Sequence, residues 1–189
     1  MPKAKIAIAG ASGFIGRWLI QQLIDQYEVV ALSRSPIKSD HPNLEWRCVD
    51  LFSVTSTNEA LEGCEFAIYL VHSMQPNSRL TQGSFEDNDL IIADNFSIAC
   101  EASHIKQIVY LSGIIPKVDK LSEHLQSRYE VEEILASRSS ALTTLRAGMV
   151  VGPNGSSFKI LEQLLRRLPM MILPAWAQTP SQAVSLSRV

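Results

Sequence analysis

The chain has 189 residues, 46% of them apolar, which suits one domain, or one domain and the start of another, around a sizeable core. Charged residues make up 19% and the formal net charge is −2, so there is no basic excess for a nucleic acid or a membrane surface. No apolar run reaches the roughly 18 residues of a membrane-spanning helix, and Met1-Pro2-Lys3-Ala4-Lys5 lacks the layout of a signal peptide.

Ile6-Ala7-Ile8-Ala9 is apolar throughout and stops at Gly10, a short buried strand over 5–9. A helix is predicted over 14–26, where Ile15, Leu19, Ile20, Leu23 and Ile24 recur at helical spacing. Further strands are predicted over 28–33 and 44–49, the latter closing at Asp50. Phe66 to Val71 reads as a fourth strand, buried on both faces, and a long amphipathic helix covers 87–103. A fifth strand over 107–111, a helix over 121–137, a sixth strand over 142–145 and a helix over 156–168, stopped by Pro169, complete the order. Strands that are apolar throughout and alternate with helices indicate a parallel sheet covered on both faces. The segment from Pro174 onward is polar and irregular, which divides the chain into a domain over 1–173 and a tail over 174–189.

Gly10, Gly13 and Gly16 form G-x-x-G-x-x-G between the first strand and the first helix. Gly10 permits the tight turn, Gly13 lets a pyrophosphate approach the backbone, and Gly16 lets helix and strand close up. The helix N-terminus, through Phe14 and Ile15, offers N–H groups and a positive dipole end, and Ser12 adds a hydroxyl. In this strand–turn–helix context the motif predicts a Rossmann-type, doubly wound α/β fold that binds a dinucleotide. NAD sites place a carboxylate about 20 residues further on, at the end of the second strand. Here the sequence is Leu32-Ser33-Arg34-Ser35, and Arg34 suits a 2′-phosphate, so NADP(H) is favoured over NAD(H). The alternative is a solvated loop charge. Asp50 and Leu51 are expected to flank the adenine, or Asp50 to serve a turn or helix cap.

The glycine turn, Asp50-Leu51, Tyr69-Leu70-Val71-His72-Ser73-Met74, Asp94-Asn95-Phe96 and Leu145-Arg146-Ala147 running to Val151-Gly152-Pro153 resemble the short-chain dehydrogenase/reductase superfamily. The likeness is to its atypical branch of NmrA-like and nucleotide-sugar-epimerase-like proteins. Active members of the superfamily carry a Ser after the fifth strand and Tyr-x-x-x-Lys in the following helix. Ser112 stands at the first position. At the second the resemblance aligns His124 with the Tyr and Arg128 with the Lys. Arg128 can bind a ribose hydroxyl but does not deprotonate near neutral pH, whereas a histidine is a competent acid/base. Ser112, His124 and Arg128 are therefore the candidate catalytic residues. Val71 and His72 are candidates for the nicotinamide side of the cofactor; a hydrogen-bonded loop histidine is the other reading. The loop 152–157 is expected either to close over the nicotinamide or to cap the next helix, with Ser156 and Ser157 as cap residues.

The three cysteines, Cys48, Cys64 and Cys100, are odd in number and far apart, which argues against disulfides and for reduced core thiols in the cytoplasm. No two histidines are spaced as a metal pair. The resemblance leaves two function classes: an NADP(H)-dependent oxidoreductase or epimerase-like enzyme acting on a small molecule, or a non-catalytic dinucleotide-binding sensor or assembly protein. It also implies a substrate-binding part that lies beyond Val189. An open site of that kind exposes apolar surface and favours a homodimer.

Overall fold

The computed structural model describes residues 3–72, 85–116, 118, 121–152, 155–167 and 182–188. The chain divides into two compact units, residues 1–145 and 146–189. In the first, β1 (Lys5–Ala9), α1 (Phe14–Leu23), β2 (Glu28–Ser33), β3 (Leu44–Cys48), α2 (Val54–Leu61), β4 (Phe66–Tyr69), α3 (Phe85–Ala102), β5 (Gln107–Gly113) and α4 (Glu123–Ala136) follow in order. They lead into β6 (Ala141–Ala147). The sheet order is β3-β2-β1-β4-β5-β6. β1 pairs in parallel with β2 on one side and β4 on the other, with Ala9 opposite both Leu32 and Tyr69. The strand order therefore reverses at β1, the switch point at which open α/β sheets bind ligands. This is the expected Rossmann-type fold.

Alternate residues of each strand feed opposite faces. Ala7, Ala9, Val30, Leu32, Ala67 and Tyr69 join a core closed by α2, α3 and α4, through Leu61, Ile92, Phe96, Val131 and Leu135. Tyr69 is its hub: the ring centroid lies 5.0 Å from Phe96 and 5.8 Å, edge-on, from Tyr110. Ile6, Ile8, Val29 and Ala31 face the other way, onto Ile20 of α1. Here the expectation that β4 is buried on both faces fails. Ala67 and Tyr69 are buried, but Phe66 and Ile68 are only half-buried, because α1 is the one helix among the described residues that contributes side chains to that core.

Several boundaries move for local reasons. α1 ends at Leu23, and Asn43 Nδ2 and Lys3 Nζ donate to the carbonyls of Ile24 and Asp25 at 3.0 and 2.7 Å, meeting acceptors that a helix end leaves open. α2 has no counterpart in the periodicity reading. Its sequence Val-Thr-Ser-Thr-Asn-Glu-Ala-Leu is poor in helix formers, and it rests on Ser53, whose Oγ accepts from Ser56 N, and on burial of Thr57, Ala60 and Leu61. β5 runs on to Gly113, so Ser112 lies inside the strand rather than after it. In the second unit β7 (Val150–Val151) pairs in parallel with β8 (Val184–Ser185), and α5 spans Ser156–Arg167. The stretch read as an irregular tail thus contains a short strand and a 3-10 turn over Leu186–Arg188. Ser156 and Ser157 are the first two residues of α5. Ser73, Met74, Pro153, Pro169 and Pro174 lie outside the described residues.

All three cysteines are free; Cys64 and Cys100 are buried as expected, but Cys48 is exposed at the end of β3, so it is not a core thiol. Burial pushes the Cys64 thiol up to about 11, and raises that of Cys100 further. A thiol reagent at neutral pH is therefore expected to label the native chain at Cys48 alone, with Cys64 and Cys100 reacting only after denaturation, as peptide mass spectrometry would read out.

α1 meets β1 through one close approach. A Cβ on Gly16 would stand 2.4 Å from the Gly10 carbonyl oxygen and 2.6 Å from Ala11 Cα, all backbone neighbours that no rotamer change relieves. Gly16→Ala is expected to destabilise the chain by about 1–3 kcal/mol, as overpacking does, measured by denaturant unfolding; an unchanged midpoint would refute this account of the contact.

Candidate functional site

The turn after β1 is shaped by glycine. Gly10 has φ +86°, and a Cβ there would press on Leu70 at 3.1 Å. The Gly13 N–H donates back to the Gly10 carbonyl at 3.0 Å and closes the turn. Gly13 is also the N-cap of α1, and it brings no side chain to cap the first N–H groups. A Cβ on Gly13 would meet one atom, the Gly10 oxygen, at 3.2 Å. The backbone at this helix start is therefore bare, exposed and rich in donors, which is what a pyrophosphate needs.

A cleft of about 400 Å³ opens over the turn, within the range of small-molecule sites. Gly10, Ser12 and Gly13 form one side. Leu32, Ser33 and Arg34 at the end of β2 and Val49 to Phe52 after β3 form the second. Leu70, Val71 and His72 after β4, with Ile92 of α3, close the third. The cleft thus brings together Gly10, Ser12, Gly13, Arg34, Asp50, Leu51, Val71 and His72. Phe14, Ile15 and Gly16 are not on its wall: Gly16 is buried under the turn, and Phe14 and Ile15 present the first helical turn beside it. The bare donors at Gly13 and the open wall fit a dinucleotide.

The far wall is held rigidly. Asp50 Oδ1 accepts from Phe52 N at 3.1 Å, and Asp50 N donates to Ser56 Oγ at 3.2 Å. Asp50 therefore closes its own turn, while Ser53 caps α2. Asn95 Nδ2 of α3 donates to the Leu51 carbonyl at 3.0 Å. Arg34 is exposed, in the turn where Ser35 N donates to Ser33 Oγ at 3.2 Å.

At the β4 end the cleft meets a second group of side chains. His72 Nδ1 lies 3.1 Å from Asp89 Oδ2 on α3. The His72 ring stands edge-on to His124 of α4, centroids 4.8 Å apart. One turn on, Arg128 Nε donates to His124 Nε2 and Nη1 to the Leu111 carbonyl, both at 3.4 Å. The Tyr110 hydroxyl donates to the Arg128 carbonyl, also at 3.4 Å. Ser112 is buried near Tyr110, and its Oγ has no hydrogen-bond partner among the described residues. Burial raises the Tyr69 and Tyr110 hydroxyls, and the Asp89 charge adds to both, so these tyrosines stay protonated.

Asp89 is the member that sequence reading missed. A signal was present: Asp89 shares the buried stripe of α3 with Ile92, Ala93 and Phe96, so a carboxylate sits where an apolar residue is expected. Among the described residues no cluster of three or more His, Cys, Asp or Glu side chains is arranged to hold a metal ion. No helix among them is long and apolar enough to cross a membrane.

Comparison with known proteins agrees with this geometry. Over 113 residues the chain is 29% identical to the auxiliary protein GraX of Staphylococcus aureus, covering 59% of this chain and 37% of GraX. Over 185 residues it is 23% identical to the decarboxylating sterol-4-alpha-carboxylate 3-dehydrogenase of Dictyostelium discoideum, covering 85% of this chain and 56% of that one. The chain therefore spans little more than half the length of these curated relatives, or less. Among solved structures, MoeE5 in complex with UDP-glucose and NAD superposes with a TM-score of 0.74 at 21% identity, covering 97% of this chain and 68% of that one. Residues 10–164 match the NAD(P)H-binding protein family. With its β1 switch point and glycine turn, the chain belongs to that NAD(P)H-binding family.

Proposed function

We propose that the cleft takes NADP(H) and that the chain is the cofactor-binding part of an oxidoreductase acting on a carbonyl or hydroxyl carbon of a small molecule. The observation that carries the cofactor choice is Arg34. It stands on the cleft wall at the end of β2, where the turn Ser33-Arg34-Ser35 holds no carboxylate. A guanidinium there pairs with a 2′-phosphate and offers nothing selective to a 2′-hydroxyl. MoeE5 carries NAD, so the two cofactors are to be told apart at this residue.

In this reading the turn residues Gly10, Ser12 and Gly13 and the first N–H groups of α1 hold the pyrophosphate. Asp50 and Leu51 flank the adenine. Val71 and His72 face the nicotinamide end, with His124 and Arg128 at the substrate side. A bound nicotinamide supplies or accepts a hydride equivalent. The chain's own residues orient it, exclude water and manage the accompanying proton. Free thiols buried at Cys64 and Cys100 suit a reducing, cytoplasmic setting.

Titration with NADPH and NADH tests the assignment. NADPH is expected to bind more tightly. Arg34→Ala should weaken NADPH binding about 10- to 100-fold, the worth of a charge-assisted contact, and leave NADH binding unchanged. Tighter binding of NADH by the wild type would defeat the role given to Arg34. Gly13→Ala, whose Cβ would meet the Gly10 carbonyl oxygen at 3.2 Å, should weaken both cofactors more than tenfold and lower the melting temperature less than Gly16→Ala does. NADPH bound without turnover of any carbonyl compound would instead mark a non-catalytic dinucleotide reader.

A further inference from the structure

The Asp89–His72 pair has no part in holding the pyrophosphate or the adenosine. Its two side chains are 9% and 18% exposed, and they meet at 3.1 Å through His72 Nδ1. An ionised carboxylate only accepts, so the hydrogen on this bond belongs to the ring. Nδ1 then carries a proton whether the imidazole is neutral or cationic, and Nε2 is the nitrogen that gains and loses one. His72 Nε2 is buried and has no hydrogen-bond partner among the described residues. Buried polar atoms are rarely left unmet, and an unmet one on the wall of a cleft marks a place for a ligand. His72 is also the residue where the cleft ends and the group on α4 begins.

His124 is placed differently. Its Nε2 faces Arg128 Nε at 3.4 Å, so a proton added there would stand against a guanidinium. Among the described residues the groups around His72 are Asp89 from α3 and His124 from α4, with Arg128 beside His124; Tyr110 of β5 and Tyr69 of β4 lie within reach of the Asp89 charge. Of these, Asp89 is the one that meets a ring nitrogen of His72 at hydrogen-bond distance.

We infer that His72, oriented by Asp89, is the general acid/base of the reaction, and that His124 and Arg128 border the substrate instead of carrying its proton. This rests on the oxidoreductase reading above. In the reducing direction the carbonyl carbon receives a hydride equivalent from the reduced nicotinamide. The carbon–oxygen π pair moves to oxygen and forms the new O–H bond with the proton on His72 Nε2. The pair of the broken N–H bond stays on the ring, which becomes neutral and is recharged from water. In the oxidising direction the Nε2 lone pair takes the hydroxyl proton as the hydride leaves for the oxidised nicotinamide. Asp89 is a positioning residue: it sets the tautomer and holds the ring in place, the division of labour seen when a carboxylate backs a catalytic histidine. In this reading a ligand reaches Nε2 past the His124 side chain, which is exposed on the first turn of α4 and stands edge-on to the His72 ring.

The test combines a spectrum with kinetics on the 189-residue chain. Long-range proton–nitrogen correlation spectra of histidine-labelled protein, without cofactor, should show neutral His72 as the Nδ1–H tautomer. Asp89→Asn, whose amide can donate to Nδ1, should shift it toward the Nε2–H form. With NADPH and a panel of short aliphatic and aromatic aldehydes, His72→Gln and Asp89→Asn should each lower kcat at least about 100-fold, the usual worth of a general acid, with NADPH affinity unchanged. His124→Gln should cost less than either. An Nε2–H tautomer in the wild type, turnover that survives His72→Gln, or a His72→Gln variant that loses NADPH affinity in place of kcat would each overturn the inference alone. A wild type that binds NADPH but reduces no aldehyde would sink the oxidoreductase reading with it, and one that binds no NADPH would sink the cofactor assignment.

Discussion

The approach of α1 to the end of β1 is the constraint on which the rest depends. The Gly10 carbonyl accepts from Gly13 N, and the space beside it is so narrow that a single methyl group on Gly16 would collide with backbone at 2.4 Å. That contact places the bare start of α1 over the carboxyl end of the central strand. Because β1 has a neighbour on each side, the strand ends that flank the turn belong to β2 and β4, and their following loops become the walls of the cleft. The site is thus a consequence of topology before it is a consequence of any side chain.

The two faces of the sheet serve different ends. The face under α2, α3 and α4 is closely filled, with Tyr69 in tilted contact with Phe96 and edge-on contact with Tyr110, and with Ala67 and Ile108 fully buried. That rigidity lets the same face carry a carboxylate. Asp89 would be costly in an apolar stripe without a partner, and its partner is a histidine on the cleft wall. Asn95, one turn and a half further along the same helix, ties the loop after β3 to α3. A single helix therefore fixes both the wall after β3 and the wall after β4, and the packing that stabilises the fold is what aligns the two sides of the cleft.

Much of this was legible in the residues. The run of α/β units along the chain and the glycine turn follow from periodicity and spacing, because β1, β2 and β5 are largely apolar runs and the glycines occur where the chain turns sharply; the order of strands in the sheet comes from the structure. Gly10, Ser12, Gly13, Arg34, Asp50, Leu51, Val71 and His72 were expected together and lie together. What was not legible has a common character. α2 is held by a serine cap and by burial against α3, not by its own propensity. Cys48 is exposed because β3 is the edge strand. Phe66 and Ile68 look like core residues in a window of sequence, yet their burial depends on which helix covers that face.

The sequence by itself determined the class of fold, the dinucleotide turn and the absence of a carboxylate beside Arg34, since each is a matter of local spacing and residue type. Tertiary structure alone decided which titratable groups meet. Asp89 and His72 are 17 positions apart, His72 and His124 much further, and no periodicity links them. They come together because β4, α3 and α4 pack through Tyr69, Phe96 and Val131, and the position of a proton is set by distances of about 3 Å that only such packing fixes.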